Sequence, residues 1–149
     1  LKISKKQNMK LLHYQIQIDA SAEKVWEALF TQDSNKRWPA ALNENTYFEG
    51  NWEQGSTMRF LDQENNGMYN LVVKNSHGSE LAMKHLGWIL DGELSPQDWE
   101  DSTVTYILEP NENGTILHAK VNSLDEFVDF FNSKYPQNFE KVKMLSEKS

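Results

Sequence analysis

The sequence predicts an α+β domain in which a curved, seven-stranded antiparallel sheet wraps around a long C-terminal helix. Three observations carry this. Short segments of alternating apolar and polar residues, parted by turn residues, fill the middle of the chain. Helical periodicity is confined to a stretch after the first strand and to the C-terminal end, and this segregation of strands from helices marks an α+β arrangement. A length of 149 residues without a linker-like segment favours one core over two.

In residues 11–19, Leu12, Tyr14, Ile16 and Ile18 alternate with His13, Gln15 and Gln17, the period of a half-buried strand. Asp19, Ala20 and Ser21 stop it, and Ser21 is suited to cap a helix. Val25, Trp26, Leu29 and Phe30 then form one apolar helical stripe. A second short helix is expected over 35–38, ending before Pro39. Six strands follow near 46–52, 56–61, 68–75, 80–89, 102–109 and 115–121. Turn-rich separators such as Asn65, Asn66 and Gly67 make these hairpins. The acidic stretch 91–101, with Gly92 and Pro96, reads as an exposed loop. Ser123 and Glu126 have capping-box spacing and should start a helix carrying Phe127, Phe130 and Phe131. Pro136 should interrupt it and open a last helix with Phe139, Val142 and Leu145. Residues 1–10 read as a flexible polar tail and 11–148 as one domain.

Composition bounds the function. Fifteen Lys and Arg against 22 Asp and Glu give a net charge of −7, which lacks the footprint of a general nucleic-acid binder. The basic cluster Lys2, Lys5, Lys6 and Lys10 reads as part of the polar tail. Zero cysteines exclude disulfides and thiolate chemistry and fit a reducing, cytoplasmic setting. No apolar run approaches the roughly 18 residues of a membrane-spanning helix. No Walker A loop, dinucleotide fingerprint or nucleophile elbow is present, and no cofactor is implied.

Several segments carry a resemblance. Residues 18–29 (Ile18, Ala20, Ser21, then Val25, Trp26, Ala28 and Leu29) are followed by Trp38 and Pro39. Phe48, Glu49, Gly50 lead to Gly55 and Ser56; Lys84 to Gly87 precede Asp91, Gly92 and Glu93. Val104, Thr105, Tyr106, Leu108, Glu109 and Pro110 lead to Gly114 and Thr115, and Tyr135, Pro136 and Phe139 to Lys143 close the series. In this order the segments resemble the START-like (SRPBCC) superfamily, in the branch related to the activator of heat-shock-protein-90 ATPase. The Lys84 to Glu93 segment is similar to a subgroup of small bacterial members. The resemblance implies the helix-grip fold. It spans chaperone co-activators, lipid carriers, hormone receptors, and cyclases or hydrolases, so it does not settle activity.

Strand parity places Tyr14, Ile16, Met58, Phe60, Tyr69, Leu71, Trp88, Tyr106 and Leu108 on the inner face. Phe127, Phe131, Phe139 and Val142 would face them from the helix side. Such surfaces either enclose an apolar ligand site or fill a solid core; both readings stay open. His85 is the one histidine with a plausible inward position, and Arg59 could reach an anionic head group if its strand were shifted in register. The four histidines have no metal-ligand spacing, so no metal site is expected. The favoured function is noncovalent binding of an apolar or amphipathic small molecule. The rivals are a protein-interaction or chaperone co-regulator domain, with Trp52 and Trp99 as exposed loop candidates, and a cyclase- or hydrolase-like enzyme.

Overall fold

The computed structural model describes residues 9–30, 46–99 and 102–148. Among them, eight strands form one antiparallel sheet: β1 (Met9–Ile18), β2 (Tyr47–Glu49), β3 (Thr57–Leu61), β4 (Gly67–Ser76), β5 (Glu80–Leu90), β6 (Glu93–Pro96), β7 (Thr103–Asn111) and β8 (Gly114–Leu124). Their order is β1-β8-β7-β5-β4-β3-β2, with β6 added to β5 off this path. Helix α1 (Ala22–Phe30) follows β1; a 3-10 turn (Asp125–Phe127) and the long helix α2 (Val128–Glu147) close the chain. This is the helix-grip arrangement: a curved sheet holding a C-terminal helix. The second short helix expected over 35–38 lies outside the described residues.

Local chemistry explains the elements. Ser21 ends β1 and caps α1, its Oγ accepting from Lys24 N at 3.3 Å. α1 buries Val25, Trp26, Leu29 and Phe30, the stripe read from its sequence. β7 and β8 alternate buried and less buried residues almost without fault, as strands with one covered face must. Their hairpin closes at Gly114, whose φ of +124° and a would-be Cβ 2.2 Å from Ile18 O both require glycine.

Four expectations are corrected. β6 occupies part of the stretch read as a loop; it lies so close to β5 that a Cβ at Gly87 would stand 2.4 Å from Ser95 O. Ser123 caps no helix: β8 runs on to Leu124, and the buried Ser123 hydroxyl donates to Leu124 O at 2.8 Å. α2 runs unbroken through Pro136, which lies on the exposed side of the helix with Asn132, whose carbonyl loses its usual N–H partner there. β1 begins at Met9, inside the span read as tail.

The main core lies between the concave face and the two helices. Ile18, Leu117, Ala119 and Val121 from the sheet meet Val25 and Leu29 of α1 and Phe139 and Val142 of α2. The last turn of α2 is tied to the end of β1 by Glu147, which accepts from Asp19 N at 2.8 Å and pairs with Lys143. A small second cluster of Leu61, Tyr69 and Ile89 covers part of the opposite face. Leu117 is fully buried at the centre of the main core. Leu117→Ala should lower the unfolding free energy by about 2–5 kcal/mol, read from urea denaturation followed by tryptophan fluorescence.

Candidate functional site

Four sheet strands, β3, β4, β5 and β7, build one wall of a cavity. Cross-strand pairing sets Phe60 beside Met68 and Met68 beside Trp88, a continuous row across β3, β4 and β5. The next row sets Met58 beside Asn70 and Asn70 beside His85. Met83 pairs with Val104, and Tyr106 follows on β7. The 3-10 turn and the first half of α2 supply the facing wall with Phe127, Phe130, Phe131 and Tyr135. Trp99 and Ser102 close one side, and Thr46, Asp62, Asn66 and Gly67 complete the lining. The cavity volume is about 400 Å³, within the range of small-molecule sites.

A β-bulge makes this wall. Between the pairs Tyr69–Gly87 and Asn70–His85, β5 carries one extra residue, Leu86. Regular alternation would send His85 and Trp88 to opposite faces. The bulge resets the alternation, so both line the cavity. Trp88 then meets Trp99 edge-to-face at 5.0 Å, and Phe127 packs on both indoles at 5.9 and 6.1 Å.

The sequence-picked residues divide into three groups. Phe60, Trp88, Tyr106, Phe127, Phe131 and His85 line the cavity. Tyr14, Ile16, Met58, Leu108, Phe139 and Val142 lie on the concave side but belong to the solid core. Tyr14 stacks on Tyr135 at 4.8 Å and donates its hydroxyl to Asn132 Oδ1 at 2.6 Å. Tyr69, Leu71 and Arg59 project from the opposite face. Arg59 and Tyr69 are cross-strand neighbours there, in a row with the exposed Glu49. Leu71 pairs with Thr57 and Lys84. β4 has apolar residues on both parities, and its inner set is Met68, Asn70 and Val72.

Sequence reasoning missed Met68, Asn70, Met83, Trp99 and Tyr135. Asn70 had a signal: an uncharged polar residue flanked by Tyr69 and Leu71 inside an apolar strand. Trp99 and Trp52 are not exposed: they are 8% and 4% accessible. Trp52 is packed edge-on by Phe30, Phe48 and Phe60 at 4.9, 5.0 and 5.9 Å.

The polar groups of the described lining are few and, Asp62 apart, neutral. His85 Nδ1 is 3.0 Å from Asn70 Oδ1, and both residues are buried. His85 Nε2 is buried without a hydrogen-bond partner among the described residues. Burial lowers the imidazole from 6.5 to about 4, so it is neutral at pH 7. The hydroxyls of Tyr106 and Tyr135 lie 3.4 Å apart. Burial pushes Tyr106 up to about 12, opposed in part by its bond to Tyr135. Tyr135 is raised further, by burial first and then by the neighbouring Tyr106. Asp62 is the one charged residue of the described lining. Among the described residues no three His, Cys, Asp or Glu side chains gather as metal ligands.

The other histidines lie elsewhere. His13 and His118 bond to each other at 2.8 Å, and His118 reaches Glu109 at 2.9 Å. His77 pairs with Glu23 at 3.2 Å.

The buried imidazole makes stability depend on pH. Unfolded, His85 takes up a proton as pH falls below about 6.5; folded, it resists until about 4. Its contribution is therefore complete above 6.5 and lost as pH falls through that window, by on the order of 3 kcal/mol. Unfolding free energies measured between pH 7 and pH 4 should fall more steeply for the wild type than for His85→Gln; parallel curves would contradict this.

With the geometry in place, comparison with known proteins adds the family. The model of the family described as Activator of Hsp90 ATPase homolog 1-like protein matches residues 19–134. No curated protein matches the chain. Among solved structures, protein MLL2253 from Mesorhizobium loti superposes with a TM-score of 0.73 at 18% identity, covering 94% of this chain and 98% of that one. The AHSA1-like protein from Aeromonas hydrophila gives 0.69 at 13% identity, with 93% of each chain covered. The Aha1 dimer from Colwellia psychrerythraea gives 0.65 at 26% identity, again with 93% of each covered. The likenesses at 18% and 13% identity establish the fold alone. The match over residues 19–134, together with the sheet-and-helix architecture, means that the chain belongs to the Activator of Hsp90 ATPase homolog 1-like family, within the START-like (SRPBCC) superfamily.

Proposed function

We propose that this domain holds a small apolar or amphipathic molecule, without covalent chemistry, between β3–β5 and the first half of α2. One observation carries the reading. The sheet and α2 close into a solid core at one end and leave about 400 Å³ at the other, lined mainly by aromatic, Met and Val side chains. Apolar surface kept out of a packed core is a standing source of binding free energy. The half-buried rings of Phe60, Trp88, Phe127 and Phe131 would lose their remaining exposure to an occupant.

The same chemistry favours binding over catalysis. A general base works best with a pKa near the working pH, and His85 at about 4 is a weak one. Its Nδ1 partner is an amide, which cannot stabilise an imidazolium as a carboxylate would. Partner contact through Trp52 and Trp99 loses its basis, since both indoles are buried.

Native mass spectrometry of freshly purified protein, before and after organic extraction, tests the proposal. The expected result is an added mass that extraction removes and that a Trp88→Ala, Phe131→Ala double variant fails to retain while staying folded. A double variant that keeps the same mass would count against this site.

A further inference from the structure

Deepening the container reading above, on which it rests, we infer that the occupant is a neutral, ring-bearing compound with a hydroxyl or N–H group that donates a hydrogen bond to His85 Nε2. Asn70 Oδ1 faces His85 Nδ1 at 3.0 Å, while Asn70 Nδ2 points to Met83 Sδ at 3.8 Å. An amide oxygen only accepts, so the ring proton is on Nδ1. The neutral ring then presents a lone pair at Nε2, and that atom is an acceptor.

This acceptor is built into the fold. His85 is only 8% exposed, its backbone N is fixed to Ser102 O at 2.8 Å, and the Leu86 bulge turns the side chain inward. Buried polar atoms in folded proteins are almost always paired. Nε2 is not, among the described residues; it sits on a cavity-lining side chain just beneath the surface of the cavity, so a donor meets it when the imidazole turns slightly toward the occupant. An occupant that brings a donor completes the set, whereas one that brings only acceptors leaves two unpaired acceptors face to face.

The lining also selects against charge. Among the described lining residues there is no Lys or Arg, and the one charged group is the carboxylate of Asp62. None of the described lining residues would supply a counter-charge to a carboxylate or phosphate desolvated here. The rings of Tyr106, Trp88 and Phe131 offer flat apolar surfaces that suit a ring system.

Three probes test the inference by calorimetry on the full chain: 2-naphthol, which donates; 2-methoxynaphthalene, which does not; and 2-naphthoate, which is an anion. 2-Naphthol should bind about tenfold tighter than 2-methoxynaphthalene, the ratio expected of one buried hydrogen bond, and 2-naphthoate most weakly. His85→Leu should erase the preference while retaining 2-methoxynaphthalene. A second readout needs no variant: the ¹⁵N resonance of unprotonated His85 Nε2 should shift with 2-naphthol and stay in place with 2-methoxynaphthalene. Equal affinities for the two neutral probes, tightest binding of 2-naphthoate, a preference that survives in His85→Leu, or a proton found on Nε2 would each overturn donor selection and leave the container reading standing. Failure of all three probes to bind would overturn both.

Discussion

One irregularity in a hydrogen-bond ladder shapes the site: the extra residue Leu86, which β5 carries opposite the Tyr69–Asn70 step of β4. Strand geometry allows one face to every second residue. By breaking that alternation once, the bulge turns both His85 and Trp88 to the concave side. It also allows the outer face to keep Tyr69 and Ile89 in a second apolar cluster. A second irregularity, between Val72 and Lys74, sets one more residue of β4 out of register. Bulges bend the strands that carry them and add twist. Here they fall on the strands that form the cavity wall, while β1, β7 and β8 pair in unbroken register above the solid core.

The domain is thus solid at one end and hollow at the other, and α2 shows why. From Tyr135 onward it presents Tyr135, Asn138, Phe139, Val142 and Ser146 as a buried stripe to the regular part of the sheet and to α1. Its first half carries Phe130 and Phe131, and neither is buried; Phe130 is 42% exposed. Close packing stabilises the first region through burial and dispersion. The second region forgoes part of that stabilisation, and natural proteins often accept such a loss at functional sites. The polar chemistry follows the same division. Tyr14 is satisfied by Asn132, whereas His85, whose Nε2 has no partner among the described residues, lines the cavity.

Strands with one buried face could be read from sequence, because their periodicity has a single physical cause. β1, β7, β8 and the stripe of α1 follow the alternation and helical spacing of their apolar residues. β4 and β5 could not be read in the same way. Both faces of these strands bear apolar residues, and a bulge leaves no mark in composition, so Tyr69 and Leu71 were assigned to the wrong face. The Ser123 box failed for a different reason. Its hydroxyl has a nearer acceptor in Leu124 O, and β8 continues past it. Trp99 was hidden by its acidic surroundings, and Asn70 by the rule that cores are apolar. Six of the eighteen described lining residues were therefore within reach of pattern reasoning. The pairing of Asn70 with His85 needed the register of two strands.

Ligand binding here requires that the space beside His85 be open and dry. A crystal of the purified protein, stripped of any bound molecule and pressurised with xenon, tests this directly, because xenon enters apolar cavities and avoids polar or filled ones. Xenon density between Met83, Val104 and Phe131 is the expected result and would establish an apolar cavity in the resting fold. A map with no xenon there, and with the rings of Phe127 and Phe131 collapsed onto Trp88, would mean that the concave face is filled throughout and that the domain holds nothing at this place.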